Sequence, residues 1–250
     1  MLKYDFKYPL DAPERTLEHA KIIKQKTFLR KLYTEWYFSF QKEIKTLPKG
    51  KILELGSGGG FSKEIIPDMI CTDVIELPTN DITFSALEIP FENNSIAAVF
   101  MIDTFHHIPD SRKFLEELRR VLVTGGMLFM IEPANSWFGR LIYQNFHHEP
   151  FNPKGGWQIP STGPLSGANG ALPWIVFERD KAELKENFPE LAVKKIKYHT
   201  PFTYLLSGGL TMKQFLPDFT YPIVRFFDEF FSGFVPHISM FVTVKVIVEK

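Results

Sequence analysis

Short apolar runs alternate with an amphipathic segment in the middle of the chain. Five of these runs are typical of buried strands: residues 51–55, 69–73, 81–85, 95–103 and 125–132. Residues 109–122 place apolar side chains at helical spacing behind an N-cap at Asp110 or Ser111, which predicts a helix. Strands that alternate with helices predict right-handed crossovers and a parallel sheet.

The two ends of the chain show other patterns. Residues 11–46 read as one helix, since apolar residues recur every three or four positions from Leu29 to Ile44. A short helix is also expected between the first two strands, ending at Ile66. Towards the other end, residues 179–188 predict a helix, and residues 192–198 and 240–249 predict strands. The last strand has no obvious crossover helix before it, which permits an antiparallel edge.

The alternation stops after Glu132. Residues 133–175 are rich in Gly, Pro, Asn and aromatic residues and show little periodicity. A segment of this length is longer than a simple loop in a compact domain, and such insertions usually cover active or binding sites. We therefore expect residues 133–175 to form a cap on the substrate side.

Composition limits the function classes. The 250 residues are 44% hydrophobic and 23% charged with a net charge of zero, so no nucleic-acid partner is expected. The single cysteine, Cys71, excludes an internal disulfide and fits a reducing compartment, and no apolar run is long enough to span a membrane. A cytoplasmic protein is the expectation. Eight of the 25 phenylalanines lie in residues 212–241, where core packing, an apolar pocket and peripheral membrane contact all remain open.

A glycine loop follows the first strand. The loop "ELGSGGG" contains Glu54, Gly56, Gly58 and Gly60, and a strand that ends in glycines lets backbone N–H groups face a ligand. In the dinucleotide pattern G-x-G-x-x-G the third glycine would fall at Phe61, so this pattern fails in its usual register.

The acidic residue and the alternating glycines resemble the class I S-adenosylmethionine-dependent methyltransferases of the small-molecule "type 11" kind. The resemblance covers roughly residues 50–132. It implies that Glu54 attracts the ammonium group of the cofactor and that the glycine loop approaches its methionine portion. The cofactor contacts that the resemblance implies are Glu54, Gly56, Ser57, Gly58, Gly60, Asp73, Val74, Ser85, Ala86, Leu87, Ile102 and Asp103.

Two of these positions bear on how the cofactor would be held. Asp73 ends the second strand, where the family carries an acid for the ribose hydroxyls. Ser85 stands where an acid commonly contacts the adenine amino group, so weaker adenine binding is expected. The short connection between Asp73 and Ser85 also predicts the loss of one flanking helix. In the N-terminal segment, either Tyr33 or Tyr37 is a candidate cofactor contact, with simple packing on the sheet as the alternative.

Catalytic candidates lie at the ends of the last two parallel strands. His106 and His107 occupy a turn where the family often has histidines, and either is a candidate general base; Glu132 is another. His147, His148 and Glu149 lie in the insertion. No second ligand cluster is evident beside them, so we expect substrate contact there and no metal site.

The sequence thus predicts one α/β domain over residues 1–250, with a Rossmann-like, seven-stranded, mainly parallel sheet, an N-terminal helical lid at 1–48 and the inserted cap. The expected reaction is methyl transfer from S-adenosylmethionine to a small molecule, such as a sugar, a lipid-linked compound or another cell-surface intermediate. The N-terminal segment resembles that of bacterial methyltransferases associated with cell-surface polysaccharide biosynthesis. The alternatives are a catalytically silent nucleoside-binding module and a nucleotide-dependent oxidoreductase; the oligomeric state stays open.

Overall fold

Seven strands form one sheet in the computed structural model, which describes residues 3–160, 162–234 and 236–250. The strands are β1 (Lys51–Leu55), β2 (Ile70–Asp73), β3 (Ile82–Thr83), β4 (Ile96–Ile102), β5 (Leu122–Pro133), β6 (Leu191–His199) and β7 (Phe241–Val248). The helices are α1 (Pro13–Gln25), α2 (Thr27–Ile44), α3 (Ser111–Val121), α4 (Trp137–Phe146), α5 (Leu172–Trp174), α6 (Lys181–Asn187), α7 (Thr203–Ser207) and α8 (Tyr221–Phe234).

The strand order is β3-β2-β1-β4-β5-β7-β6. Strands β1 to β5 pair in parallel, whereas β7 runs antiparallel to both β5 and β6. The predicted seven-stranded, mainly parallel α/β sheet is therefore confirmed. The chain passes to opposite sides of β1 to form β2 and β4, and the carboxyl ends of β1 and β4 border the crevice where open α/β sheets bind ligands.

The centre of the sheet follows the hydrophobic pattern. Every residue of β4 is buried, as expected for a strand covered on both faces. Helix α3 buries Phe114, Leu115 and Leu118. Its N-cap is Asp110, whose carboxylate accepts hydrogen bonds from the amides of Arg112 and Lys113.

The N-terminal segment forms two helices, so the prediction of one continuous helix over residues 11–46 is wrong. Lys26 interrupts it with an extended backbone (φ −89°, ψ 113°). The buried ammonium group of Lys26 donates to the carbonyl oxygens of Gly209 and Met212. These acceptors lie far along the chain, so helical periodicity could not reveal the interruption. Helix α2 packs on the sheet, with the Phe40 ring 4.5 Å from that of Phe100 on β4.

The connections from β1 to β2 and from β2 to β3, both within the described residues, contain no α-helix. The predicted short helix ending at Ile66 is only a 3₁₀ turn over Ser62–Glu64. Between β2 and β3 the chain forms turns and bends, as the short connection predicted. Helix α2 covers the glycine loop beside these shortened connections. Its Tyr37 ring contacts the Phe61 ring edge-on, with 5.2 Å between the ring centroids.

The insertion is more regular than its sequence indicated. Helix α4 begins after Ser136, whose hydroxyl oxygen accepts a hydrogen bond from the amide of Gly139 at 2.7 Å. The Tyr143 hydroxyl donates to the Met240 carbonyl just before β7, at 2.6 Å. Residues 133–175 are thus attached to the end of the sheet, although their sequence shows little periodicity.

The phenylalanine-rich segment divides between core and surface. Phe241 is buried, whereas Phe219, Phe226 and Phe230 are 78%, 65% and 52% exposed, so these three do not fill the core. Within the described residues, no helix is long and apolar enough to cross a membrane.

Candidate active site

The glycine loop passes close to other backbone and side-chain atoms. Gly56 has φ +68°, and a Cβ there would lie 2.3 Å from Cγ2 of Thr104, which follows β4. A Cβ on Gly60 would lie 2.3 Å from the Tyr37 hydroxyl oxygen of α2. Both contacts are far shorter than a van der Waals distance. Glycine is therefore required for the loop to fit between the sheet and the N-terminal helices.

Glu54 lies below the loop and is 2% exposed. Its carboxylate accepts a hydrogen bond from the Ser62 hydroxyl at 2.5 Å, and its backbone carbonyl oxygen accepts from the Thr72 hydroxyl at 2.8 Å. Burial raises the pKa of Glu54 to about 7, although hydrogen bonds from neighbouring side chains oppose the shift. The carboxyl group is therefore available in both charge states near neutral pH.

Asp73 joins the glycine loop to the second strand. Its carboxylate oxygens accept hydrogen bonds from the amides of Gly58 and Ile75, both at 2.9 Å. Burial raises the pKa of Asp73, while these backbone amides oppose the shift. The acid at the end of β2 is thus fixed in orientation at the edge of the crevice.

A cavity of about 660 Å³ opens above these residues. Every residue predicted to contact the cofactor lines it: Glu54, Gly56, Ser57, Gly58, Gly60, Asp73, Val74, Ser85, Ala86, Leu87, Ile102 and Asp103. Tyr33 and Tyr37 line it as well. The Ser85 hydroxyl accepts a hydrogen bond from the Leu87 amide at 3.2 Å, which orders the turn where adenine binding was predicted.

The roof of this cavity comes from both flanking segments. Helix α1 contributes Thr16, His19 and Ile23, and residues 162–165 of the insertion contribute the other side. Asp11 connects the two, because one carboxylate oxygen accepts hydrogen bonds from the amides of Leu165 and Ser166, both at 2.8 Å. The lid and the cap therefore meet over the predicted cofactor site.

Asp103 projects from the carboxyl end of β4 with φ +50°, a backbone conformation that is uncommon for residues other than glycine. Burial is the main cause that raises the pKa of Asp103 to about 8; the charge of His106 opposes this shift, and the nearby Glu132 and Glu149 support it. The uncommon backbone angle and the raised pKa at a strand end make Asp103 a candidate functional residue.

His106 and His107 form the turn after Asp103. His106 is 2% exposed, with Nδ1 2.7 Å from Glu132 and Nε2 3.2 Å from Glu149. Burial opposes protonation, but these two carboxylates hold the pKa of His106 well above its usual value. The reverse holds for His107, where burial and the charge of His106 lower the pKa to about 4.

Glu132 is fully buried and anchors this turn. One of its oxygens accepts hydrogen bonds from the amides of Thr104 and Phe105, at 2.9 and 2.8 Å, and the other faces His106. Glu132 is not among the residues that line either cavity, whereas His107 lines both.

A second cavity of about 180 Å³ adjoins the first. Its walls come from α4, from residues 204–215 and from the start of β7. The two cavities share five lining residues: His19, Asp103, His107, Leu165 and Leu210. A ligand in the larger cavity and one in the smaller cavity would therefore face each other beside Asp103 and His107.

Residues 53–130 match the family model described as Methyltransferase domain. Residues 53–130 of this chain therefore carry a methyltransferase domain. Geranyl diphosphate C-methyltransferase from Streptomyces coelicolor A3(2) has a similar structure, with 13% identity and a TM-score of 0.54 over 99% of this chain and 91% of that one. The partner of the Trm112 methyltransferase activator from Haloferax volcanii is also 13% identical, with a TM-score of 0.50 over 98% of this chain and 100% of that one.

The match confirms the predicted family, enzyme class and cofactor, and the similar structures confirm the fold. The sequence did not predict that α1 lines the larger cavity of this methyltransferase, or that Asp11 joins the N-terminal segment to the insertion. The sequence also indicated no second group of potential metal ligands beside His147 and His148. The fold brings one there, because Glu149 lies against His106 and His107 as well. None of these contacts has a local sequence signal, since the partners are more than 40 residues apart.

Proposed function

We propose that this methyltransferase transfers the methyl group of S-adenosylmethionine to a small, partly apolar acceptor in the second cavity. The observation that carries the proposal is the junction of the two cavities at Asp103 and His107. One cavity has the glycine loop and acids that suit the cofactor, and the other has space for a separate small molecule.

The walls of the larger cavity support one orientation of the cofactor. Glu54 and the glycine loop would hold its amino-acid end, since a carboxylate attracts an ammonium group. Asp73 would hold its ribose, and Ser85 and Leu87 its adenine. In this orientation the cofactor would supply its activated methyl group on the side of Asp103, which also lines the second cavity.

The smaller cavity favours an acceptor with an apolar or ring-shaped body. Much of its lining is apolar or aromatic, including Ile142, Phe146, Leu205, Phe215 and Phe241. Phe146 and Phe215 are also 76% and 41% exposed, which places apolar surface at the cavity's edge. Lipid-linked and other cell-surface intermediates belong to this chemical class. The similar Streptomyces coelicolor enzyme is described as acting on geranyl diphosphate, which has an apolar body as well.

The reaction is an in-line displacement at an activated methyl group. The acceptor's lone pair forms the new bond to carbon, the carbon–sulfur bond breaks, and its electron pair stays on sulfur as S-adenosylhomocysteine. Positioning and exclusion of water supply most of the rate enhancement. Asp103 takes the proton that the acceptor loses, because its raised pKa suits a general base near neutral pH. Glu132 acts as a positioning residue through His106 and the two amides it holds.

Calorimetry followed by a transfer assay tests this function. We expect S-adenosylmethionine and S-adenosylhomocysteine to bind and NAD not to bind, and radiolabelled methyl groups to pass to members of a panel of phenols, prenyl alcohols and prenyl phosphates. Ile142→Trp, which narrows the second cavity, should lower transfer and leave S-adenosylhomocysteine binding unchanged. Absence of cofactor binding at millimolar concentration would refute the proposal, and binding without transfer to any acceptor would favour the silent module.

A further inference from the structure

Four histidines surround one carboxylate in the wall of the second cavity. His106 and His107 approach Glu149 from the turn after β4, with Nε2 atoms 3.2 and 3.7 Å from its oxygens. His147 and His148 approach it from the insertion, each with a ring nitrogen 3.6 Å away. Of these groups, only His106, through which Glu132 acts, and His107, at the cavity junction, have a part in the proposed methyl transfer.

The hydrogen bonds of two rings fix which nitrogens face Glu149. Nδ1 of His107 lies 3.0 Å from the Gly167 carbonyl oxygen, which can only accept, so this nitrogen carries the proton. A neutral His107 therefore points an unprotonated Nε2 towards Glu149. Nδ1 of His106 donates in the same way to Glu132 at 2.7 Å. Its Nε2 lies 3.2 Å from Glu149 and would release its proton when a metal ion binds.

These contacts reproduce the surroundings of metal-binding histidines. Such histidines donate their second ring N–H to a carboxylate or a backbone carbonyl, which sets the tautomer and aims the free nitrogen at the ion. Here His106 uses a carboxylate and His107 uses a carbonyl. The residues lining this cavity include no lysine or arginine, so in the described part of the chain no permanent side-chain cation faces Glu149 from the cavity wall.

We propose that His106, His107 and Glu149 bind a divalent transition-metal cation of the zinc type. The ligand atoms of these three residues lie within 4.8 Å of one another. Tetrahedral ligands of zinc are about 3.4 Å apart, and the distances of 3.2 and 3.7 Å from the two Nε2 atoms to Glu149 are already close to that value. Two imidazoles and one carboxylate favour zinc, iron or manganese over magnesium, which prefers oxygen ligands. His147 and His148 form a second triad with the same Glu149 and are available as further ligands.

The position of this site gives it a role if the proposed methyl transfer is correct. His107 lines both cavities, so the cation lies beside the acceptor's polar end. A bound cation would hold an acceptor oxygen there and favour its deprotonated form. The existence of the site does not depend on that role, and its test therefore uses metal binding itself.

The test uses untagged full-length protein that has been dialysed against a chelator. Cobalt(II) is titrated while the visible absorption is recorded, and zinc content is measured after dialysis against zinc and then against metal-free buffer. We expect one tightly bound ion per chain and visible bands typical of nitrogen and oxygen ligation. His107→Gln and Glu149→Gln should each weaken cobalt binding by tenfold or more. His237→Gln is the matched control, since this exposed histidine lies outside the cluster.

A native circular dichroism spectrum and a cooperative thermal transition show that each variant is folded. Binding of S-adenosylhomocysteine by the metal-free wild-type protein separates the two proposals, because the cofactor cavity should bind this ligand with or without metal. Less than one tenth of an equivalent of retained metal, or unchanged cobalt binding in both folded variants, would overturn the metal site. If Glu149→Gln does not fold, His107→Gln alone decides the outcome.

Discussion

Protonation of Glu54 should weaken cofactor binding at mildly acidic pH. Burial raises the pKa of this carboxyl group to about 7, and only its ionised form attracts the ligand's ammonium group. If the ionised form alone binds, the apparent Kd rises as the ionised fraction falls. From about pH 8 to about pH 6 that fraction falls about tenfold, equivalent to about 1.4 kcal/mol of binding free energy.

Calorimetry with S-adenosylhomocysteine measures this effect cleanly, because its thioether is neutral and its ammonium group is the cation of interest. The Kd should change little above about pH 8 and rise about tenfold by about pH 6. Burial lowers the pKa values of His19 and His107 to about 4, so neither cavity histidine changes charge in this range. Glu54→Gln should weaken binding at the higher pH and remove the dependence.

Asp103→Asn is the matched control, since it removes the other cavity carboxyl group whose pKa is near 8 and leaves Glu54 in place. It should keep the rise in Kd towards acidic pH. A wild-type Kd that stays constant across this range would refute the reasoning. So would a Glu54→Gln variant that retains the wild-type pH dependence.

Protonation of Glu54 should weaken cofactor binding but stabilise the ligand-free protein against unfolding. The pKa of Glu54 rises from its ordinary value of 4.5 to about 7, so the native state binds the proton more tightly. This contribution to stability is fully present below the unfolded pKa and is lost as pH rises through about 7, a change of about 3 kcal/mol. Glu54→Gln should therefore increase the free energy of unfolding at alkaline pH by about 1–3 kcal/mol in urea titrations, while it weakens cofactor binding.

Four further substitutions test other parts of the site. Asp73→Ala should weaken S-adenosylhomocysteine binding by tenfold or more in calorimetry, about 1.4 kcal/mol, and unchanged affinity would remove Asp73 from the site. Asp103→Asn should lower kcat about a hundredfold in the transfer assay with binding retained, and wild-type turnover would exclude it as the base. Gly60→Ala should lower the Tm, because its Cβ would lie 2.3 Å from the Tyr37 hydroxyl oxygen; Tyr37→Phe in the same chain should recover part of the loss. Asp11→Ala should speed hydrogen exchange at the two amides it binds, and unchanged protection there would show that the roof does not depend on it.

The central part of the fold was predictable because its signals are local. Apolar runs identify β1, β4 and β5, and a glycine loop after β1 fixes where the ligand approaches the sheet. The family resemblance implies Asp73 and Asp103 as cofactor contacts, and both lie at strand ends, where the carboxyl ends of parallel strands meet at one edge. Their place in one cavity follows from the strand order alone.

The remaining features depend on contacts between distant segments. The interruption at Lys26 is stabilised by carbonyl groups of residues 209 and 212, which no helical pattern reveals. The contact of Glu149 with His106 exists because α4 is attached beside β7 and returns the chain to the site. The sequence predicts residue 11 only as the first position of the N-terminal helix, whereas the hydrogen bonds of Asp11 to residues 165 and 166 complete the roof.

The roof over the cofactor cavity has a kinetic consequence. A ligand in this cavity lies under α1 and residues 162–165, which the hydrogen bonds of Asp11 join. We therefore expect the roof to part when the cofactor exchanges, and the acceptor cavity shares His19 and Leu165 with it. We expect an ordered sequence in which the cofactor enters first and its spent form leaves last, with opening of the roof setting the pace of catalysis.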